Sequence, residues 1–160
     1  MALRELSSLE KYLELKKPNK YSTQGDKKVG LVTIACYLVK EAKRSELLGN
    51  SAESRAVVQQ WLEYRVTRLN GCAKDDVKTI LKELNLYLQD ITYLAGKQFT
   101  LADILMYYGI HPLIVDLTVL EKEQHVNVTR WFDHIQHYPG IRRHLPPVAV
   151  LRNRIYTSGH

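Results

Sequence analysis

Cysteine is scarce in this chain, which has only Cys36 and Cys72 among 160 residues. Because the two thiols form no Cys-x-x-Cys pair and no other metal-ligand spacing, we expect free or buried cysteines in a reducing compartment and no disulfide. No apolar run reaches the length of a membrane span. The first six residues place charges among apolar side chains and lack the apolar core of a signal peptide. We therefore expect a cytoplasmic protein, with a nuclear pool as the other location.

Signatures of catalysis and of metal binding are also scarce. The sequence contains no glycine-rich phosphate loop, no nucleophile elbow and no paired carboxylate arrangement, since Asp75 and Asp76 are adjacent and suit the first turn of a helix. His134 and His137 are three residues apart and His144 follows, but no acid or cysteine completes a zinc-binding set. We therefore expect no catalytic residue, no metal site and no cofactor, with the histidines solvated or capping.

Apolar residues recur with helical spacing along most of the chain, and a content of 45% hydrophobic and 25% charged residues is usual for a soluble domain. The periodicity predicts helices over residues 3–15, 31–47, 51–69, 75–88, 101–120 and 128–138. Pro112 is expected to kink the fifth of these helices. Asn50, together with Glu53, is predicted to cap the third helix, and Asn127 the last. The predicted fold class is mainly α.

The segment from Phe99 to Leu105 contains the clearest helix start. Thr100 is expected to accept a hydrogen bond from the backbone N–H of Asp103, while the Asp103 carboxylate accepts one from the N–H of Thr100. Apolar residues then occupy nearly every side of the helix, which is typical of a helix surrounded by others. We predict that Thr100 and Asp103 form a structural capping box at the start of a buried central helix.

Five further motifs accompany this capping box in a characteristic order. They are Gln-Gln-Trp-Leu-Glu-Tyr-Arg-Val at 59–66, Tyr-Tyr-Gly-Ile-His at 107–111, Ile-Val-Asp-Leu-Thr at 114–118, Asn-Val-Thr-Arg-Trp-Phe at 127–132 and His-Ile-Gln-His-Tyr-Pro-Gly-Ile-Arg at 134–142. The capping box resembles the one that opens the central helix of the C-terminal domain in the glutathione transferase superfamily. Together, the motifs resemble the auxiliary, non-catalytic components of the animal multi-aminoacyl-tRNA synthetase complex, over a region from about Leu9 to the C-terminus.

The resemblance implies two units: a thioredoxin-like unit over residues 1–49 and a transferase C-terminal-like helical domain over residues 50–160. In the family, a strand and an Asn-Gly turn precede the second helix, whereas here Lys28-Val29-Gly30 leads directly to Leu31. By this comparison about a dozen residues are missing, and a sheet without that strand would have unpaired edges. We therefore predict a shortened, degenerate N-terminal unit, with a basic loop at residues 16–30.

The function that the resemblance implies is that of a non-enzymatic scaffold supporting translation. One face, with Ala42, Arg55, Val58 and Gln59, would bind the transferase-like domain of methionyl-tRNA synthetase through a pseudo-twofold pairing. The opposite face would bind the corresponding domain of glutamyl-prolyl-tRNA synthetase, with Arg130 at its centre because arginine can stack and fork across an interface. The family is also associated with nuclear DNA-damage signalling, for which no residue here gives a physical basis.

Two other functions stay open on the sequence. A residual glutathione-dependent transferase would need a hydroxyl or thiol beside the glutathione sulfur, and Tyr12, Tyr21, Ser22 and Cys36 have that chemistry, although each is predicted in a helix or in the basic loop. A tRNA-contacting basic module would use the formal net charge of +6 together with the basic loop and an arginine-containing tail. Because no aromatic and basic residues alternate as in a known RNA-binding module, we expect contact with nucleic acid only indirectly.

Overall fold

The computed structural model describes Leu9, Tyr12 and Leu13 and residues 31–69, 72–141 and 145–148. From residue 31 onward these ranges contain six α-helices: α1 (Leu31–Glu41), α2 (Ala52–Tyr64), α3 (Lys74–Tyr87), α4 (Leu101–Val115), α5 (Val119–Gln124) and α6 (Val126–Gln136). A 3-10 turn, Ser45–Leu48, precedes α2, and a π-helical turn, Arg65–Leu69, follows it. The described part of the chain has no strand, only an isolated β-bridge between Tyr93 and Gly96. The predicted mainly helical fold is confirmed.

Helix α4 lies at the centre of the bundle. It packs against α2, the π-helical turn and α6. Helix α3 packs against α6 and also contacts α2, where the rings of Trp61 and Tyr87 are 4.8 Å apart. Most α4 side chains are buried, including the polar Asp103 and His111. An apolar surface on every side of α4 requires neighbours all round it, as its sequence predicted. Pro112 lies in the last turn of α4, and the helix ends three residues later at Val115.

Two predicted helix ends differ from the structure. The cap of α2 is Ser51, not Asn50: its hydroxyl accepts the N–H of Ser54 at 3.0 Å, and the Ser54 hydroxyl accepts the N–H of Ser51 at 3.0 Å. The helix predicted over 101–120 ends early because Thr118 starts a separate helix, α5. There the Thr118 hydroxyl accepts the N–H of Glu121 at 3.1 Å. In both cases a short hydroxyl side chain satisfies helix N–H groups that have no backbone partner.

The prediction that Asn127 caps the last helix is wrong. Helix α6 begins at Val126, so Asn127 is already inside its first turn. The cap is supplied by Asn85 of α3, whose Oδ1 accepts the N–H of Asn127 at 2.9 Å and that of Val128 at 3.2 Å. The Asn127 side chain donates in return to the Asn85 carbonyl at 3.0 Å. This reciprocal pair fixes the start of α6 against the end of α3.

Gly109 of α4 makes room for the buried side chain of Arg65. The Arg65 Nε donates to the Leu105 carbonyl at 3.1 Å, and its side chain crosses the surface of α4 where residue 109 has no Cβ. A Cβ at position 109 would overlap the Arg65 Nε and lie 2.7 Å from its Cδ and 2.8 Å from Leu69 Cδ2. The missing side chain is therefore a packing requirement of this helix pair.

We expect Gly109→Ala to lower the free energy of unfolding by about 1–3 kcal/mol because the added methyl overpacks a filled site. This expected change is the net effect, after the gain of about 1 kcal/mol that alanine gives over glycine in a helix. Urea unfolding measures the change. In an Arg65→Ala background the same substitution should cost less, and equal costs in both backgrounds would contradict the steric explanation.

The segment 145–148 is held against α4 and α6 by two buried polar side chains. The Gln136 amide donates to the Val148 carbonyl at 2.9 Å and accepts its N–H at 3.0 Å. The His111 Nε2 pairs with the Pro146 carbonyl at 2.9 Å, so this nitrogen is the one that carries the proton. These contacts extend the bundle beyond α6.

Most of the predicted N-terminal unit lies outside the described residues, including the basic loop at 16–30 and most of the helix predicted over 3–15. Leu9 and Leu13 are buried in the same core as the bundle, and the Leu13 N–H donates to the Leu9 carbonyl at 2.9 Å, as in a helical turn. Ala35 and Leu38 of α1 also belong to this core. A boundary near residue 49 stays a prediction. Among the described helices, none combines the length and apolarity that crossing a bilayer requires.

Candidate functional site

Arg130, the predicted centre of a partner interface, lies on α6 beside the end of α3. Its Nη2 donates to the Leu88 carbonyl at 2.7 Å and to the Ile91 carbonyl at 2.9 Å. Leu88 is the C-cap of α3, so the guanidinium stands at the negative end of that helix dipole. The side chain is half-buried, and its Nε and Nη1 make no hydrogen bond within the described part of the chain. The Arg130 side chain is therefore fixed through Nη2, while the N–H groups of Nε and Nη1 can still donate hydrogen bonds to a partner.

A surface groove of about 390 Å³ opens beside this arginine. It is lined by Gln89, Asp90, Ile91, Thr92, Arg130, Trp131 and His134. His134 pairs with the Tyr93 hydroxyl at 3.1 Å at the edge of the groove. The lining combines a cation, a carboxylate and amide and imidazole groups around the apolar Ile91. A groove of this composition suits the side chains of another protein, which can be matched by charge and by shape.

The floor of the groove is connected to the predicted capping box through Trp131. The indole Nε1 donates to Asp103 Oδ1 at 2.8 Å, and the same oxygen accepts the N–H of Leu94 at 3.0 Å. Trp131 is 1% exposed and Phe132 is fully buried, so both fill the core. Asp103 thus joins α4, α6 and the loop that contains Leu94 through one buried carboxylate.

The carboxylate half of the capping box is present: Asp103 Oδ2 accepts the N–H of Thr100 at 3.1 Å. The hydroxyl half is weaker. Thr100 Oγ1 is buried without a hydrogen-bond partner of ordinary geometry among the described residues, because the Asp103 N–H is bonded to the Thr100 backbone carbonyl at 3.0 Å. Asp103 therefore contributes more to this helix start than Thr100 does.

Burial raises the pKa of Asp103 from 3.8 to about 6, against the hydrogen bonds to Leu94, Trp131 and Thr100, which lower it. Because the folded protein then holds this proton more tightly than the unfolded chain, the stability linked to it is fully present below pH 3.8 and is lost as the pH rises through about 6.

We expect the Asp103 carboxyl carbon to titrate with a midpoint near pH 6 in a carbon-13 NMR experiment. The stability of the wild-type protein relative to Asp103→Asn should fall between pH 4 and pH 6, since the variant lacks the titrating group. A midpoint at the ordinary value of 3.8 would contradict this expectation.

The second predicted face lies on α2 and just after α1. Arg55 and Gln59 are exposed, and Ala42 is half-buried. Val58, which we expected on this face, is 2% exposed and belongs to the core. A side chain buried to this degree has no surface to offer a partner, so Val58 supports the face from beneath. Arg55 and Gln59 are four residues apart and lie on the same side of α2.

The histidines predicted to be solvated or capping make local contacts. His137 is exposed and its Nδ1 pairs with the Asp133 carbonyl at 2.8 Å, and His134 pairs with Tyr93 as described above. His144 lies outside the described residues. Over the described ranges, no three histidine, cysteine, aspartate or glutamate side chains converge as metal ligands would. Burial raises the pKa of the Cys36 thiol, which opposes the thiolate form needed for reactivity.

Comparison with known proteins places these features in a family. The family model described as "Nuclear-export cofactor Arc1p" matches residues 54–139, more than half of the chain. Human eukaryotic translation elongation factor 1 epsilon-1 is 56% identical over 172 aligned positions, which cover 99% of each protein. Since that alignment is twelve positions longer than the chain, it contains gaps in this sequence, and their place in the N-terminal unit stays a prediction.

Two further relatives are larger proteins. The tRNA-aminoacylation cofactor arc1 of Schizosaccharomyces pombe is 30% identical over 86% of this chain and 28% of its own length. The bifunctional glutamate/proline–tRNA ligase of Cricetulus griseus is 32% identical over 69% of this chain and 7% of its own length. A synthetase therefore contains a region similar to about two thirds of this chain. Through the full-length match and the family model that covers its bundle, the chain belongs to the eukaryotic translation elongation factor 1 epsilon-1 family.

Proposed function

We propose that this chain is a non-catalytic scaffold of the multi-tRNA synthetase complex that binds transferase-like domains of two synthetases. The relatives support a non-catalytic role in translation, because they include a tRNA-aminoacylation cofactor and elongation factor 1 epsilon-1 proteins. The finer assignment, to glutamyl-prolyl-tRNA synthetase through α6 and to methionyl-tRNA synthetase through α2, is our proposal. Its mechanism is the matching of surfaces, with no chemical step.

The observation that carries the first contact is the held guanidinium of Arg130. Two carbonyls fix its Nη2, so less side-chain entropy is lost when a partner closes over the groove. The remaining edge of the fork can stack on a planar group or bind a carboxylate of the partner. Since the glutamate/proline–tRNA ligase contains a region similar to this chain, we propose that this region of the synthetase binds the surface around Arg130.

The second contact uses Arg55 and Gln59 of α2, with Ala42 beside them. Arg55 and Gln59 are exposed, and Ala42 is half-buried and packs against the edge of the core. A site on α2 leaves the groove beside Arg130 free. We therefore propose that one copy of the chain binds both synthetase domains at once, which is the property that a scaffold requires.

The experiment is a mixture of the purified chain with the recombinant transferase-like domains of the two synthetases. We expect size-exclusion chromatography with light scattering to give a ternary complex containing one copy of each component, and either binary complex when one domain is omitted. Competition between the two domains for a single copy would contradict the assignment of separate faces. Failure of both domains to bind would overturn the proposed function.

The remaining transferase alternative makes a separate prediction. We expect isothermal titration calorimetry to detect no saturable binding of glutathione at millimolar concentration, and no conjugation to an electrophilic acceptor. Tyr12 and Cys36 contact the core, and burial raises the pKa of both groups, so neither is poised to stabilise a thiolate. Glutathione binding accompanied by conjugation would support the transferase alternative. A salt-sensitive shift of tRNA by the isolated chain would favour the basic-module alternative.

We propose that the scaffold acts in the cytoplasm, where aminoacyl-tRNA is used, and that a nuclear pool accompanies it. Fractionation of cells that express the tagged chain tests this location, with a cytoplasmic and a nuclear marker as controls. Recovery only with membranes or in secreted material would contradict the proposal.

A further inference from the structure

Three lysines and a leucine form a continuous exposed row on α3. Lys74, Lys78, Lys82 and Leu86 are four residues apart in succession, so they follow one another along one side of the helix. All four are exposed, whereas the opposite side of α3 packs into the core. At a rise of about 1.5 Å per residue the row is about 18 Å long.

The start of α6 lies beside the leucine end of this row. Asn85, the residue before Leu86, accepts the N–H of Asn127, the residue after Val126. Leu86 is 64% exposed and Val126 is 50% exposed. The hydrogen-bonded pair therefore brings two large uncovered aliphatic side chains to neighbouring positions.

Helix α5 leads directly into α6. It ends at Gln124, two residues before Val126, and packs against α6. Val119 and Leu120 form its start and are 45% and 64% exposed. Together with Leu86 and Val126 they are four of the large exposed aliphatic residues of the described chain. Hydrogen bonds with Thr118 lower the pKa of Glu121 in the same turn, and the positive charge of Lys78 on α3 adds to them.

We name this surface the lysine–leucine face and define it by Lys74, Lys78, Lys82 and Leu86 of α3, Val119 and Leu120 of α5 and Val126 of α6. It shares no residue with the groove beside Arg130 or with the face that contains Arg55. Lys74 and Lys82 make no ion pair within the described residues. Their charges are available to a partner, as are the aliphatic side chains.

We propose that the lysine–leucine face binds an acidic amphipathic helix of another protein. Carboxylates of that helix would pair with the lysine row, and its apolar side chains, repeated every three or four residues, would cover Leu86 and Leu120. A helix of three turns matches the length of the row. The face is less suited to nucleic acid, because its exposed apolar side chains are aliphatic and provide no ring on which a base can stack.

The probe is a synthetic peptide of about 15 residues, long enough for a nascent helix, with leucine at i, i+4, i+7 and i+11 and glutamate beside each leucine. We expect the full chain to bind it saturably, with NMR shift changes centred on residues 74–86 and 119–126 and weaker binding at higher salt. A peptide of the same composition in scrambled order should not bind. Equal binding of both peptides, or none by the first, would overturn the proposal.

Variants then separate the two contributions. Leu86→Ser with Leu120→Ser, and separately Lys78→Glu with Lys82→Glu, should each weaken peptide binding at least about tenfold while the melting temperature stays unchanged, because all four side chains are exposed. Tyr37→Ser, at another exposed apolar residue, is the matched control and should bind normally.

Two further probes test other occupants. The first probe is a vesicle of anionic lipid. If the chain binds these vesicles more strongly than the peptide, and the leucine variant does not bind them, the proposal is overturned in favour of a membrane surface. Retention of tRNA that is lost in the lysine variant but not in the leucine variant would overturn it in favour of nucleic acid.

Discussion

Replacing Asp103 by alanine is expected to lower the free energy of unfolding by about 3–5 kcal/mol, because each buried donor left unpaired costs about 1–3 kcal/mol. The carboxylate accepts three such donors: the N–H groups of Leu94 and Thr100 and the indole N–H of Trp131. Urea unfolding at neutral pH measures the change. An unchanged unfolding midpoint would mean that this carboxylate does not hold the three segments together.

Two comparisons isolate the cause of that loss. Asp116→Ala removes an exposed carboxylate just after α4, and its effect should stay within about 0.5 kcal/mol. Trp131→Phe removes the indole donor and keeps an aromatic ring. The Asp103 and Trp131 side chains share a 2.8 Å hydrogen bond. If this bond matters, the loss in free energy of unfolding in the double variant should be smaller than the sum of the losses in the two single variants.

Replacing Arg130 by alanine is expected to weaken binding of the glutamyl-prolyl-tRNA synthetase domain at least about tenfold, since losing a central arginine anchor costs about 2 kcal/mol or more. Binding of the methionyl-tRNA synthetase domain should not change. The variant should also unfold at a lower temperature, because the carbonyls of Leu88 and Ile91 lose their shared donor. Calorimetric titration of each domain, at a temperature where the variant is folded, measures both affinities.

The structural part of this effect can be separated from the interfacial part. Arg130→Lys keeps the charge and can donate to the same carbonyls, but it lacks the planar fork, so it should restore stability more fully than affinity. Arg55→Ala is the reciprocal control: it should weaken only the methionyl domain and leave stability unchanged. Equal loss of both domains in Arg130→Ala would mean that this arginine supports the fold and not a selective interface.

Much of the helical framework could be predicted from local sequence. The apolar period of α3, the apolar surface of α4 and the acid at Asp103 depend on residues a few positions apart, and such short-range signals act in the same way in most folds. The burial of Trp131 follows the same kind of rule, since a large apolar ring in an amphipathic helix faces the core. The interface assignments depended on family resemblance, and they stay predictions.

The errors at helix ends have a common origin. Asn50 and Asn127 both have suitable capping chemistry, but the nearby Ser51 and the distant Asn85 supply the caps instead. Asparagine, aspartate and serine stabilise a helix start by similar amounts when they act as its N-cap. The choice between them depends on where the chain enters the helix and on which neighbour lies in front of it.

The sequence by itself determined a mainly helical chain, its central helix and a carboxylate at the start of that helix, because periodicity and capping act over one or two turns. Only the tertiary structure decided that Asp103 binds Trp131, that Arg130 closes the end of α3, and that Val58 faces inward. The first two contacts join residues 28 and 42 positions apart. No local rule fixes such contacts, since the rotation of each helix about its axis is set by the helices packed against it.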